Sequence, residues 1–233
     1  MLTIIHGNDT AQSRKYFLDE RNKTKDAVLL DADQINLTDL AQILEGGGLF
    51  GETKFLFVEQ FLTKRKKSSD FKDILSYLET QALENTIVLW EGKELERGAL
   101  NEFKKVSIKI FKFPQTLFQL LDAIQPGNTK VMLNLFHQTI ETAEVEMVYF
   151  MLVRQFRMLL ALSETKTQTE NPIDELKRIA PWQKGKLEKQ ANAFELGHLV
   201  NLYDKLFQIE VGQKTGGLST PLVSTIDFFL LEV

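Results

Sequence analysis

Leu2-Thr3-Ile4-Ile5-His6-Gly7-Asn8-Asp9-Thr10-Ala11 is the stretch on which the fold turns. A short run rich in β-branched side chains meets a glycine, and two polar residues then precede a pattern of helical period over 11–20. β-Branched residues pack well on a pleated surface. Asp9 and Thr10 are residue types whose side chains accept hydrogen bonds from the free N–H groups of a helix start. A strand, a turn at Gly7 and a capped helix follow, which is the opening of a βαβ unit.

Working outward, the same alternation recurs. Runs at 28–30, 55–58, 86–90 and 108–113 read as strands, and 37–44, 71–80 and 95–105 as helices, with Asp70 at the start of the 71–80 helix. Several strands are apolar almost throughout, the pattern of strands buried on both faces of a parallel sheet. Residues 1–113 are therefore expected to form a doubly wound α/β domain. Beyond Pro114 the pattern changes to helical period alone, over 116–124, 129–140, 144–162, 173–179, 184–194, 196–213 and 218–231. Pro126-Gly127-Asn128, the polar run 163–171 and Lys214-Thr215-Gly216-Gly217 punctuate it, the last reading as a helix C-cap and turn. Residues 114–233 are expected to be a helical bundle, so the fold class is α/β followed by all-α.

The composition excludes several classes of function. Hydrophobic residues make up 43% and charged residues 26% of 233, close to globular averages. With no cysteine there is neither a disulfide nor a thiolate metal site. A net charge of −4 argues against coating nucleic acid by charge alone. No apolar run approaches a membrane span, and the first residues lack the basic region of a signal peptide, so a cytoplasmic location is expected.

The turn after the first strand is where a P-loop would cradle phosphate. Counting G-x-x-x-x-G-K-[ST] from Gly7 puts Gln12, Ser13 and Arg14 where glycine, lysine and a hydroxyl are needed. The strand 55–58 ends in Glu59-Gln60, where Glu59 could reach a metal ion but Gln60 cannot act as a base. Asp31 and Asp33, after the second strand, read as turn formers rather than a metal pair. His6, His137 and His198 lack companions at ligand spacing, and no nucleophile–base motif is present. The expectation is a chain without catalysis, cofactor or metal.

Glu45-Gly46-Gly47-Gly48-Leu49-Phe50-Gly51-Glu52-Thr53 lies between the second helix and the third strand. Glycines leave the backbone adaptable and supply no side chains to bury Leu49 or Phe50 locally. Two readings stand: the pair folds back into the core, or it is an apolar tip that enters a pocket on a partner.

These features together resemble the delta subunit of the bacterial DNA polymerase III clamp loader. The resemblance rests on Gly7-Asn8-Asp9, on Leu49-Phe50-Gly51 ahead of a hydrophobic strand, and on Leu117-Phe118-Gln119-Leu120-Leu121-Asp122-Ala123-Ile124 followed by Gly127-Asn128. It continues through Leu152-Val153-Arg154-Gln155-Phe156-Arg157-Met158-Leu159-Leu160, the stretch 186–194, Leu202-Tyr203-Asp204-Lys205 and Gln213-Lys214-Thr215-Gly216. It implies a degenerate P-loop, AAA+-like clamp-binding domain over 1–113 and a helical collar for oligomerisation over 114–233. It also implies that Leu49 and Phe50, with Gly48 and Gly51 letting the tip adapt, form a wedge that opens the ring of the sliding clamp (beta) without hydrolysing ATP. The implied partners are that clamp, the other loader subunits through the collar, and primer-template DNA, with no membrane. One departure is visible: members of this family carry a small helical lid between core and collar, whereas here Phe113-Pro114 runs directly into the collar-like stretch.

Lys64-Arg65-Lys66-Lys67 is a compact basic run that could meet DNA phosphates, although no aromatic residue interleaves it and a solvated loop is the simpler reading. Two alternatives to the loader reading remain: a degenerate P-loop NTPase using Glu59 and the Gly7 turn, and a DNA-binding adaptor using Lys64–Lys67.

Overall fold

The computed structural model describes residues 1–46, 53–164 and 173–233. The chain divides into two compact units, Met1–Phe113 and Pro114–Val233. The first is a five-stranded sheet with β1 (Leu2–Gly7), β2 (Val28–Asp31), β3 (Phe55–Glu59), β4 (Thr86–Trp90) and β5 (Ser107–Phe111) in the order β2-β3-β4-β1-β5. Every pairing is parallel. Successive side chains point to opposite faces, and the sequence uses both. Leu2, Ile4, Leu56, Val58, Ile87 and Leu89 face a core that includes α2 (Leu37–Glu45) and α4 (Phe71–Gln81). Ile5, Phe57, Val88 and Trp90 face α1 (Thr10–Lys23), whose buried Phe17 meets Phe57 edge-on at 5.4 Å. That two-sided burial is why these strands read as unbroken apolar runs.

Local chemistry sets the helix ends. Asp9 caps α1 by accepting from the Gln12 N–H at 2.9 Å, and Asn36 caps α2 through the Asp39 N–H. Asp70 sits at the N-cap position of α4 without capping it, its carboxylate turned instead to Arg65 at 2.5 Å. The helix expected over 95–105 is one turn, α5 (Arg97–Leu100). Gly98 weakens it, and the Lys104 N–H is taken at 2.7 Å by the Glu79 carboxylate rather than by the preceding turn. A short helix not expected from the sequence, α3 (Phe61–Arg65), follows Gln60, which adopts a left-handed backbone with φ 60°. Its N-terminal amides are satisfied from another strand's end: the buried Glu91 carboxylate accepts from the N–H of Leu62 (2.7 Å) and of Thr63 (2.9 Å), and from the Thr63 hydroxyl (2.6 Å). Burial pushes the Glu91 carboxyl above its ordinary range despite these donors.

The second unit is helical throughout its described residues: α6 (Gln115–Asp122), α7 (Thr129–Ile140), α8 (Val145–Glu164), α9 (Asp174–Arg178), α10 (Pro181–Asn192), α11 (Leu196–Thr215) and α12 (Leu222–Leu231). Helix α8 is the axis, packing against α6, α7, α10, α11 and α12. Its buried Phe156 meets Phe229 of α12 at 5.2 Å and Phe194, just past α10, at 6.4 Å. Gln155 of α8 donates to Gln190 Oε1 at 2.8 Å, and Gln190 Nε2 reaches the carbonyls of Leu121, Asp122 and Ile124 at 2.8–3.2 Å. Two side-chain amides thus satisfy the carbonyls that the end of α6 leaves open. Gly216 ends α11 in the left-handed conformation (φ 70°) that glycine adopts without strain.

A buried histidine marks the base of the first unit. His6 accepts the Leu95 N–H on Nδ1 at 3.1 Å, a bond that requires this nitrogen to be unprotonated, and its burial lowers its pKa from the usual 6.5. A lowered folded-state value means that stability is present above about pH 6.5 and is lost as pH falls toward the folded value. Unfolding by urea should therefore show a wild-type stability that declines below about pH 6.5 more steeply than that of His6→Gln. Equal slopes would show that His6 titrates alike in both states.

Candidate functional site

The turn after β1 holds the positions where a nucleotide would be bound, and the chain itself fills them. Gly7 has φ 152°, and a Cβ built on it would lie 1.8 Å from the Phe111 carbonyl oxygen of β5. That carbonyl accepts the Asp9 N–H at 3.2 Å, and the Gly7 N–H meets the Lys93 carbonyl at 3.4 Å. The Gln12 and Ser13 amides are both taken by Asp9, through its side chain at 2.9 Å and its carbonyl at 3.1 Å. A P-loop presents such amides to phosphate; here four of them already have protein acceptors.

Two of the three substituted positions are occupied by side-chain contacts within the chain, and the Gln12 side chain is exposed. Ser13 is buried, and its hydroxyl accepts from the Trp90 indole N–H at 3.1 Å. Arg14 lies over the Trp90 ring at 5.3 Å and pairs with both Glu59 carboxylate oxygens at 3.2 and 3.3 Å. Glu59, the residue that could have met a metal ion, is thus partnered by a side-chain cation. Gln60 donates its N–H to the Trp90 carbonyl at 2.7 Å. Asp31 caps a turn of 3₁₀ helix at Ala32–Gln34, and Lys64 bridges Asp31 (2.8 Å) and Asp33 (2.7 Å). Both aspartates act as turn and ion-pair residues, and the Asp31 carboxyl is held below its ordinary value by the Asp33 N–H and then by Lys64. No group of residues suited to hold a metal ion occurs among the described residues.

Leu49 and Phe50, with Gly48 and Gly51, lie outside the described residues. The stems on either side are described, and they meet at one corner. At the end of α2, the Gly46 N–H returns to the Gln42 carbonyl at 3.0 Å, and Glu45 Oε1 accepts from Tyr77 Oη (2.7 Å) and Gln81 Nε2 (3.0 Å) of α4. Desolvation and this carboxylate push the Tyr77 phenol up to about 12. Before β3, the Lys54 N–H donates to Asn85 Oδ1 at 2.9 Å, and Asn85 Nδ2 donates to Gln81 Oε1 at 3.2 Å. Gln81 therefore connects both stems. None of Glu45, Tyr77, Gln81 and Asn85 was a candidate on sequence grounds, because each is ordinary until α4 brings them together.

The basic run, expected to be a solvated loop, lies in and just after α3. Lys64 and Arg65 are held by Asp31, Asp33 and Asp70, and Lys66 lies 3.5 Å from Glu102. Among the described residues Lys67 alone of the four carries no ion pair.

The second unit presents a surface that sequence reading missed. Trp182, at the start of α10, is 67% exposed at the rim of a cleft of about 270 Å³ that Phe118, Met151, Met158 and Lys186 also line. The signal was available: an aromatic residue among Arg178, Lys184, Lys186 and Lys189. Along α11, Leu196, Val200, Phe207 and Val211 are exposed at helical spacing, beside a cleft shared with Val153 and Leu160 of α8. No helix among the described residues is long and apolar enough to cross a membrane.

Together, the sheet order and the bonded turn define a parallel α/β unit whose first strand-to-helix turn is tied to its own chain, followed in the chain by an all-helical unit. Residues 114–233 match the model for the DNA polymerase III delta subunit, C-terminal domain. That is more than half of the chain, which belongs to the DNA polymerase III delta subunit family of replication clamp-loader proteins. Among solved structures it is similar to the Bacillus subtilis DNA clamp loader delta protein (YqeN), at 14% identity and a TM-score of 0.46, covering 99% of this chain and 94% of that one. No curated protein matches the sequence.

Gly7 offers a direct test of the filled turn. Gly7→Ala forces a methyl group against the Phe111 carbonyl, and should destabilise the fold by about 3 kcal/mol or more. Denaturant melts of the two proteins measure it; a loss under about 1 kcal/mol would mean that β5 moves away easily.

Proposed function

We propose that this chain binds the sliding clamp and opens its ring by inserting Leu49 and Phe50 into an apolar pocket on the clamp, without hydrolysing ATP itself. Membership of the delta family carries the reading, joined to a Leu-Phe pair set between glycines. Burying two such side chains contributes roughly 1.5–3 kcal/mol each, enough to anchor an interface. The silent ATPase role is supported by the bonded amides of the Gly7 turn and by the Arg14–Glu59 pair. These same contacts count against the degenerate NTPase alternative. The exposed apolar residues of α11 support a role for residues 114–233 in docking other loader subunits. Replication in a bacterial-type cytoplasm follows from the same reading. The chain passes from β5 to α6 through residues 112–114, so no lid domain lies between them.

Primer-template DNA is the third partner of this reading. Lys64–Lys67 support it weakly, since Lys64, Arg65 and Lys66 are each held by carboxylates. Trp182 adds a stacking platform, an exposed indole with Lys189 two turns later, while Lys186 one turn later is itself paired with Asp122 at 2.6 Å. The same interleaving of aromatic and basic residues is absent from 64–67.

Two measurements test these assignments. Surface plasmon resonance against the sliding clamp should show binding that is indifferent to MgATP, and a loss of about two to four decades in affinity for Leu49→Ala with Phe50→Ala, the fold being unchanged by circular dichroism. Undiminished binding by the double variant would sink the wedge. In the assembled loader, Trp182→Ala should weaken binding to primer-template DNA with a single-stranded overhang by about 1–3 kcal/mol. A Lys64→Ala, Lys67→Ala variant that loses more than Trp182→Ala would return the DNA contact to α3.

A further inference from the structure

β5 ends the sheet. Among the described residues it pairs only with β1, so its outer edge carries backbone N–H and C=O groups that no strand meets. Its side chains are open as well: Ile108 is 42% and Ile110 48% exposed, whereas their partners in register on β1, Ile4 and His6, are 0% and 1%. Residues paired in register project on the same face. Ile108 and Ile110 therefore extend the apolar face of Ile4 beyond what the chain covers. Lys109, paired with Ile5, projects on the α1 face, where its Nζ lies over the Tyr16 ring at 3.5 Å. Charge is distributed unevenly along the same stretch. Phe103–Phe113 holds four lysines and no acidic residue, in a chain of net charge −4. Lys112 pairs with Glu94 at 2.5 Å, and Glu79 meets the Lys104 backbone N–H. Among the described residues no carboxylate pairs with the ammonium groups of Lys104, Lys105 and Lys109.

We propose that the open edge of β5 is a docking site for an extended, acidic segment of a partner protein, added to the sheet as a further strand, in which apolar residues alternate with Asp or Glu. The backbone ladder supplies affinity and the alternate side chains supply selectivity. Every second residue of the incoming strand lies beside Ile108 and Ile110 and completes their cover. The residues between face the other side of the sheet, where Lys109 stands, with Lys104 and Lys105 just before the strand. Two other occupants fit this edge less well. A second copy pairing along its own β5 would bring lysine-rich edges together, and lysine on an edge strand disfavours that kind of self-pairing. A nucleic acid would meet the lysines, but it has neither the alternating N–H and C=O groups of a strand nor side chains to cover two isoleucines. Nothing in this docking depends on Leu49 or Phe50.

A model peptide tests the edge on the full chain. NMR titration of the ¹⁵N-labelled protein with an eight-residue peptide of four Val-Glu repeats should give saturable shifts along Ser107–Phe111. Lys109→Glu, and separately Ile108→Thr with Ile110→Thr, should each weaken that binding about five-fold. Two altered peptides test the same points without touching the protein. Methylating every backbone nitrogen keeps the side chains and removes the donors, and should weaken binding by about ten-fold or more. Four Val-Lys repeats keep the backbone and reverse the charge, and should weaken it by about as much. Absence of shifts along β5 at millimolar peptide overturns the proposal. Binding by the methylated peptide as tight as by its parent overturns strand addition, and equal binding of Val-Lys and Val-Glu repeats overturns the acidic partner. Shifts along β5 produced by oligothymidylate and not by the peptide would assign the edge to nucleic acid instead. A dimer in sedimentation velocity that Ile108→Thr with Ile110→Thr abolishes would assign it to a second copy and overturn the proposal.

Discussion

The close approach of the Phe111 carbonyl to Gly7 is the constraint from which the first unit follows. β1 lies between β4 and β5, and its last residue pairs in register with Phe111. Only a residue without a Cβ lets that carbonyl come near enough to accept the Asp9 N–H, so the strand pairing and the start of α1 are fixed by one contact. The same contact decides the chemistry. In an open P-loop the backbone after the first strand curls around an anion; here it is bonded to the neighbouring strand and to its own cap. Arg14 then completes the substitution by placing a cation against Glu59 and the Trp90 ring.

The second unit depends on a different device. Helix ends leave carbonyls without partners, and a unit with seven helices among its described residues has many such ends to satisfy. Gln155 and Gln190 close the end of α6 from two other helices, so the junction is specific in a way that apolar packing around Phe156 is not. Leu196, Val200, Phe207 and Val211 of α11 are exposed apolar side chains, and Trp182 stands exposed at the start of α10. Large exposed apolar side chains in regular spacing are the kind of surface that partners cover.

Most of the architecture was legible because it rests on local or repetitive signals. Apolar runs marked the five strands, Asp9 the start of α1 and Gly216 a helix end, while Asp70 marked the start of α4 without capping it. What escaped notice depends on residues distant in sequence. Helix α3 is too short to show a period, and its amides are capped by Glu91, 28 and 29 residues onward. The basic run looked solvated because its carboxylate partners come from other elements, Asp31 and Asp33 from the end of β2 and Glu102 from beyond α5. The 95–105 helix was overdrawn because nothing in its own sequence announces that Glu79 takes the Lys104 N–H. The wedge reading falls on residues 49 and 50, outside the described residues: the glycines around Leu49 and Phe50 raise the question, and the resemblance to the family is what suggests an answer.

An apolar anchor between glycines asks two opposite things of a chain. The tip must adapt to a pocket, which favours glycine, while the affinity that two side chains supply is modest and is easily lost to disorder. Both demands are met when the order is supplied from outside the tip. On helix α4 and the turn after it, Tyr77 and Gln81 bond to Glu45, and Asn85 bonds to Gln81 and to the Lys54 N–H. They lie on the α4 side of the sheet, whereas the filled phosphate turn faces α1. The bonded turn at Gly7 and the residues on either side of 47–52 are therefore held by separate sets of bonds.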